Sequence, residues 1–208
     1  MELSLTLIII IITSAISLAA FNNEKLFRKG LMNPYLMFQK GEYWRLITSG
    51  FLHGSYIHLG FNMFTLYFFG RMVEMIFDQV LGSNGPIVFI LFYISAIIVS
   101  DLPVAIKQKN NPSYNSLGAS GGVSALVFAS ILYFPLNDIC LYGILCLPGF
   151  ILGVIYVVYS YYQGRNMSDN INHEAHLYGA IYGIIFGIAV YPSSAGSFIE
   201  QIMTYRIF

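Results

Sequence analysis

The stretch His173–Pro192 reads HEAHLYGAIYGIIFGIAVYP. After Glu174 no charge occurs until Glu200, a run of 25 residues. Gly179, Gly183 and Gly187 recur every fourth residue and so share one helix face. In water such a stripe weakens a helix, whereas in lipid it lets two helix backbones touch. The segment predicts a membrane helix over about 173–192 that packs closely on a neighbour.

The same absence of charge recurs along the chain. The charge-free runs are 3–23, 46–70, 79–100, 110–137, 139–164 and 175–199, which are 21, 25, 22, 28, 26 and 25 residues long. A hydrocarbon core about 30 Å thick needs roughly 20 helical residues to cross it. The runs predict six transmembrane helices, at about 4–21, 55–77, 86–101, 119–135, 139–162 and 173–192. The expected fold is therefore an all-α membrane protein, a six-transmembrane-helix bundle forming a single domain over residues 1–208. With 57% hydrophobic and 10% charged residues, the composition excludes a solvated globule. Ten Lys+Arg balance ten Asp+Glu, so no basic field invites nucleic acid. The partner expected from composition is the lipid bilayer.

Met1-Glu2-Leu3 carries an acid and no Lys or Arg, so the first segment is expected to be a span rather than a cleaved leader. Cys140 and Cys146, six apart inside the fifth run, match neither a CxxC pair nor a disulfide framework. They read as small buried apolar residues. The connection from Asn22 to about Gly54 is rich in aromatics and charge, and Gly30, Pro34 and Gly41 interrupt it. It predicts a structured lobe at the membrane interface. Residues 102–118, with Pro103 and Pro112, read as a loop, and Gln163–Asn172 as a short, mobile polar one.

Polar groups inside apolar spans are costly, so they mark function. They form three groups here. His58 and Asn62 are four apart at the start of segment 2, with His53 just upstream. Ser120 sits in Gly118-Ala-Ser-Gly-Gly122 at the start of segment 4, and His173 and His176 open segment 6. Segments 2, 4 and 6 are an even number of passes apart, so their N-terminal ends share a leaflet. A site assembled between three helices has this pattern.

A serine hydroxyl is a poor nucleophile until a base takes its proton, and histidine is the usual base near neutrality. An oxyanion then needs donors, which the free N–H groups at the start of a helix and the side chains of His58 and Asn62 offer. No Asp or Glu lies in a span near these residues except Glu174, so a Ser–His dyad is expected rather than a triad. His173-Glu-Ala-His176 is not HExxH, since its histidines are three apart, and no metal or other cofactor is expected.

Three motifs together resemble the rhomboid family of intramembrane serine proteases. They are His53-Gly-Ser-Tyr-Ile-His58-Leu-Gly-Phe-Asn62, Gly118-Ala-Ser-Gly121, and Ala175-His176-Leu-Tyr-Gly179-Ala-Ile-Tyr-Gly183. Trp44-Arg45 and Gly70…Glu74 resemble family positions too. The resemblance implies Ser120 as nucleophile and His176 as general base, with His58, Asn62 and the Ser120 N–H lining the oxyanion hole. It implies structural support from His53, Trp44, Arg45, Glu74, Gly118, Gly121, Gly179 and Gly183. His173, nearer the loop, is expected to matter less. The implied substrates are transmembrane segments of other membrane proteins, admitted past segment 5 and the loop 163–172. The implied bundle has segment 4 at its centre and a hydrated cavity open to one face.

Two features depart from the family pattern. An aromatic often sits four residues after the nucleophile and packs on the histidine, but Ser124 stands here, and Tyr178 is an alternative ring. The family's extracytoplasmic site in the cell membrane also puts Lys25, Arg28, Lys29, Lys40, Arg45, Lys107, Lys109 and Arg165 outside, with Arg71 and Arg206 inside. Eight against two opposes the positive-inside rule. The alternative function is a catalytically inactive rhomboid-like protein that binds membrane clients. A transporter would show charges in mid-span or a duplicated half, and neither is evident.

Overall fold

The computed structural model describes residues 4–141, 144–166 and 171–206. Helix α1 (Leu5–Phe21) begins at Ser4, whose hydroxyl accepts from Leu7 N at 3.3 Å. The connection that follows folds into α2 (Glu24–Gly30), α3 (Pro34–Lys40), α4 (Arg45–Thr48) and a 3-10 turn, Ser49–Phe51. Asn23 and Asn33 cap α2 and α3, satisfying N–H groups that a helix start leaves open. Met32, Met37 and Leu46 of this lobe pack with Ala105.

Next come α5 (Tyr56–Thr65), a π-turn (Leu66–Gly70) and α6 (Arg71–Leu81), forming one helical run. A turn at Gly82–Asn84 leads into α7 (Gly85–Lys107). Fifteen residues of straight helix span about 22 Å. The rings of Phe77 and Phe92 lie only 5.6 Å apart, so the chain reverses at this turn. Gly82, at φ 56°, takes the left-handed conformation that the reversal needs.

Helix α8 (Ser120–Tyr133) is the centre of the fold. Every residue from Gly121 to Tyr133 except Val127 is buried. An antiparallel hairpin follows, β1 (Asp138–Leu141) with β2 (Leu145–Pro148). It leads into α9 (Gly149–Asn166), α10 (His173–Val190) and α11 (Ser193–Thr204). By length and apolar composition the run Tyr56–Lys107 can cross a membrane, and α10 with α11 qualifies as a pair bent by 114°. The apolar helices α1 and α8 are shorter, at 17 and 14 residues.

Four expectations are corrected. Segment 5 does not begin at 139, because the chain between Asn137 and Gly149 pairs as a hairpin and the helix starts only after Pro148. Cys140 and Cys146 are not buried apolar residues; they stand directly opposite in that hairpin, exposed, and form a disulfide. The third helix does not stop at 101, since α7 runs through Pro103 to Lys107. The Gln163–Asn172 loop is shorter, with 163–166 in α9, while 167–170 lie outside the described residues.

Candidate active site

Helix α8 starts at Ser120 without a side-chain cap, so its first N–H groups have no partner inside the helix. Gly118 just before it takes φ 120°, a conformation that favours glycine, and its N–H donates to Ser49 O at 3.0 Å. A methyl group on Gly118 would lie 3.0 Å from Cε1 of His58, 3.2 Å from its Nε2 and 3.7 Å from Ser120 Oγ. The fold thus brings the His58 imidazole and the Ser120 hydroxyl to the same side of Gly118.

Helix α10 reaches the same point through its glycines. A methyl on Gly179 would overlap the Gly121 carbonyl oxygen, and one on Gly183 that of Ala125. A methyl on Gly121 would in turn lie 3.6 Å from Ala175 O of α10. His176 therefore sits on α10 between two residues that both touch Gly121, the neighbour of Ser120. The same methyl on Gly121 would overlap the Ser100 side chain of α7. Absence of side chains at 118, 121 and 179 is what lets these helices meet.

Asn62, one turn beyond His58, is buried, and its Nδ2 donates to His58 O at 3.0 Å. One amide hydrogen is used there, and among the described residues none accepts the other. His53 is fully buried and stands edge-on to His58, with ring centroids 4.9 Å apart. Ser17 Oγ donates to Phe51 O at 2.8 Å, so the His53 Nδ1–H must be the donor in its 2.9 Å contact with Ser17. Burial first, and then the charge of His58, push the His53 pKa down to about 4. His53 is thus a neutral wedge between α1 and α5.

The supporting residues have definite partners. Arg45, buried, bonds Glu42 at 2.7 Å and the carbonyls of Lys29 and Leu31 at 2.6 and 2.8 Å, closing the end of α2. Its guanidinium lies 4.7 Å from the centroid of the Trp44 ring. Glu74 accepts from Leu5 N at 2.6 Å, Thr6 N at 3.1 Å and Thr6 Oγ1 at 2.6 Å, so a carboxylate from α6 caps the start of α1.

His173 opens α10 next to the loop and is buried, with its ring centroid 5.7 Å from that of His176. Two other residues near the site differ from the sequence reading. Tyr178 is exposed, and the ring that lies nearly parallel to His176 is Tyr156 of α9, at 6.1 Å and 23°. A carboxylate besides Glu174 is also near. Asp101, buried on α7, accepts from Asn172 Nδ2 at 3.0 Å, and Asn172 Oδ1 caps Ala175 N at 3.1 Å. Asp101 thereby fixes the start of α10. Glu174 itself pairs with Lys107 at 2.6 Å.

The Rhomboid domain model matches residues 40–193. Rhomboid protease GluP of Bacillus subtilis is 28% identical over 183 residues, covering 88% of this chain and 33% of that protein. Rhomboid protease GlpG of Haemophilus influenzae is 25% identical over 150 residues, 72% of this chain and 70% of that one. RHOMBOID-like protein 12, mitochondrial, of Arabidopsis thaliana is 28% identical over 167 residues, 74% of this chain and 50% of that one. The chain thus spans half or less of the length of several curated relatives it matches.

Proposed function

The chain belongs to the rhomboid family, whose members are integral membrane proteins, and we propose that it is an intramembrane serine protease that cuts transmembrane segments of other membrane proteins. The observation that carries this reading is the convergence on Gly118–Gly121. It gathers Ser120 at a helix start, His58 on the same side of Gly118 as the Ser120 hydroxyl, and His176 on α10 between Ala175 and Gly179, both of which pack beside Gly121. Two relatives with protease in their names add support.

In the proposed reaction Ser120 Oγ attacks the scissile carbonyl while His176 takes its proton. The tetrahedral oxyanion accepts hydrogen bonds from the Ser120 N–H, His58 and the second side-chain N–H of Asn62. As the intermediate collapses, the C–N bond breaks and His176 returns the proton to the leaving amine. Water then attacks the acyl-enzyme by the same route, releasing the acid and restoring Ser120.

The architecture that suits this chemistry is six passes, formed by α1, α5–α6, α7, α8, α9 and α10. Helix α8, about 21 Å long, is short for a full crossing. With its start set within the bilayer, Ser120 lies below the surface beside a polar opening. We place this site on the extracytoplasmic face of the cell membrane. The test is cleavage of a transmembrane substrate by purified protein in detergent. Wild type should cut it and Ser120→Ala should not. Client binding without cleavage by wild type would instead make this an inactive rhomboid-like protein.

A further inference from the structure

Ser124 stands four residues after Ser120, one turn along α8, and is buried. Its hydroxyl lies 2.6 Å from the Tyr156 hydroxyl of α9. The Tyr156 ring is also 5.5 Å from that of Phe128, the next residue on this face of α8. It also lies nearly parallel to the His176 ring, with centroids 6.1 Å apart. One turn further along α9, Tyr159 meets His173 edge-on at 5.5 Å. Tyrosines three apart on α9 thus match histidines three apart on α10, in opposite chain directions.

We propose that Tyr156 is a positioning residue for His176, held in place by Ser124, so that α9 orients the general base. This rests on the protease reading above. A histidine ring turns about two side-chain bonds, and a base must point at its proton donor within narrow limits. The small Ser124 leaves room for a ring from α9, and its hydroxyl fixes where that ring lies. Phe128 packs on the same ring, so the ring's freedom to move away from His176 is reduced. Because α9 is also the expected route of entry for substrate, its displacement loosens the base.

The experiment is the rate at which a soluble fluorophosphonate labels Ser120 in the purified full chain. A soluble probe needs an aligned base but no admission of a transmembrane helix. Wild-type labelling with none in Ser120→Ala establishes the parent reading, and unlabelled wild type counts against that reading alone. Given labelling, Tyr156→Leu should slow it by about tenfold or more. Tyr156→Phe and Ser124→Ala each keep the core filled and should each slow it by about threefold. The double variant Ser124→Ala/Tyr156→Phe should be no slower than either single, since both remove one bond. All three are expected to unfold near the wild-type temperature. Wild-type labelling rates in Tyr156→Leu, with only cleavage of the transmembrane substrate altered, would make Tyr156 a gate residue and overturn the proposal. Additive losses in the double variant would overturn the shared bond, and the proposed anchor with it. Should Tyr156→Leu fail to fold, the two conservative variants decide the outcome alone.

Discussion

At the scale of single residues, two buried polar groups bear on stability away from the reacting atoms. Glu74 receives three hydrogen bonds from the first turn of α1, two of them from backbone N–H groups. Glu74→Ala leaves those donors uncapped and should cost about 2 kcal/mol. Glu74→Gln keeps an acceptor but loses the charge facing the helix start, so a smaller loss is expected. Thermal unfolding in detergent measures both, and equal stability of all three proteins would contradict the capping role. His53 makes a pH prediction. Its pKa in the fold is about 4, against about 6.5 in the unfolded chain. Between these values the unfolded state binds the extra proton, so stability rises with pH there. The contribution is fully present above about pH 6.5 and is lost as pH falls towards 4. From pH 7 to 5 the protein should lose about 2 kcal/mol from this group. His53→Gln should flatten that part of the profile, and an unchanged slope would show that His53 titrates freely.

At the scale of elements, the α8–α10 contact was legible in advance and the α8–α9 connection was not. Glycines at every fourth position announce close helix packing before any partner is known. A methyl on Gly183 would sit 2.8 Å from both C and Cα of Ala125, which are backbone atoms that cannot rotate away. Gly183→Ala should therefore force the helices apart, at a cost of about 1–3 kcal/mol, and slow labelling of Ser120. Gly196→Ala is the control, because its methyl would meet nothing within 4 Å. Equal unfolding temperatures for the two variants would show that the interface is loose. The hairpin stayed hidden because its strands are as apolar as the helix that follows, so hydropathy alone draws no boundary at Pro148. Tyr156 stayed hidden because a ring that replaces Ser124's missing aromatic comes from a different helix, which spacing along α8 cannot reveal. Asp101 was misread as the end of a span, since Pro103 suggested a helix terminus, whereas α7 continues past it.

At the scale of the whole molecule, two observations together bear on which face of the bilayer the site meets. In the proposed six-pass topology eight basic residues fall on the side of Ser120 and two on the other. The positive-inside rule concerns short hydrated loops. Here Arg45 is buried within a folded lobe, bonded to Glu42 and to the carbonyls that end α2. The charge count therefore weighs less than its ratio suggests. The Cys140–Cys146 pair lies beyond the opposite end of α8 from Ser120. Disulfides persist in oxidising compartments and are rare in the cytoplasm. With the site outside, this hairpin faces the cytoplasm, so the two cysteines are expected as thiols in living cells and as a disulfide after exposure to air. An impermeant amine reagent added to intact cells should then modify Lys25, Lys29, Lys40 or Lys109. Alkylation during denaturing lysis should cap both cysteines. The inverted protein would give the opposite on both counts: lysines protected until the membrane is opened, and cysteines that resist alkylation until reduced. One topology thus fixes two independent chemical readouts, and protected lysines with an intact disulfide would reverse the assignment.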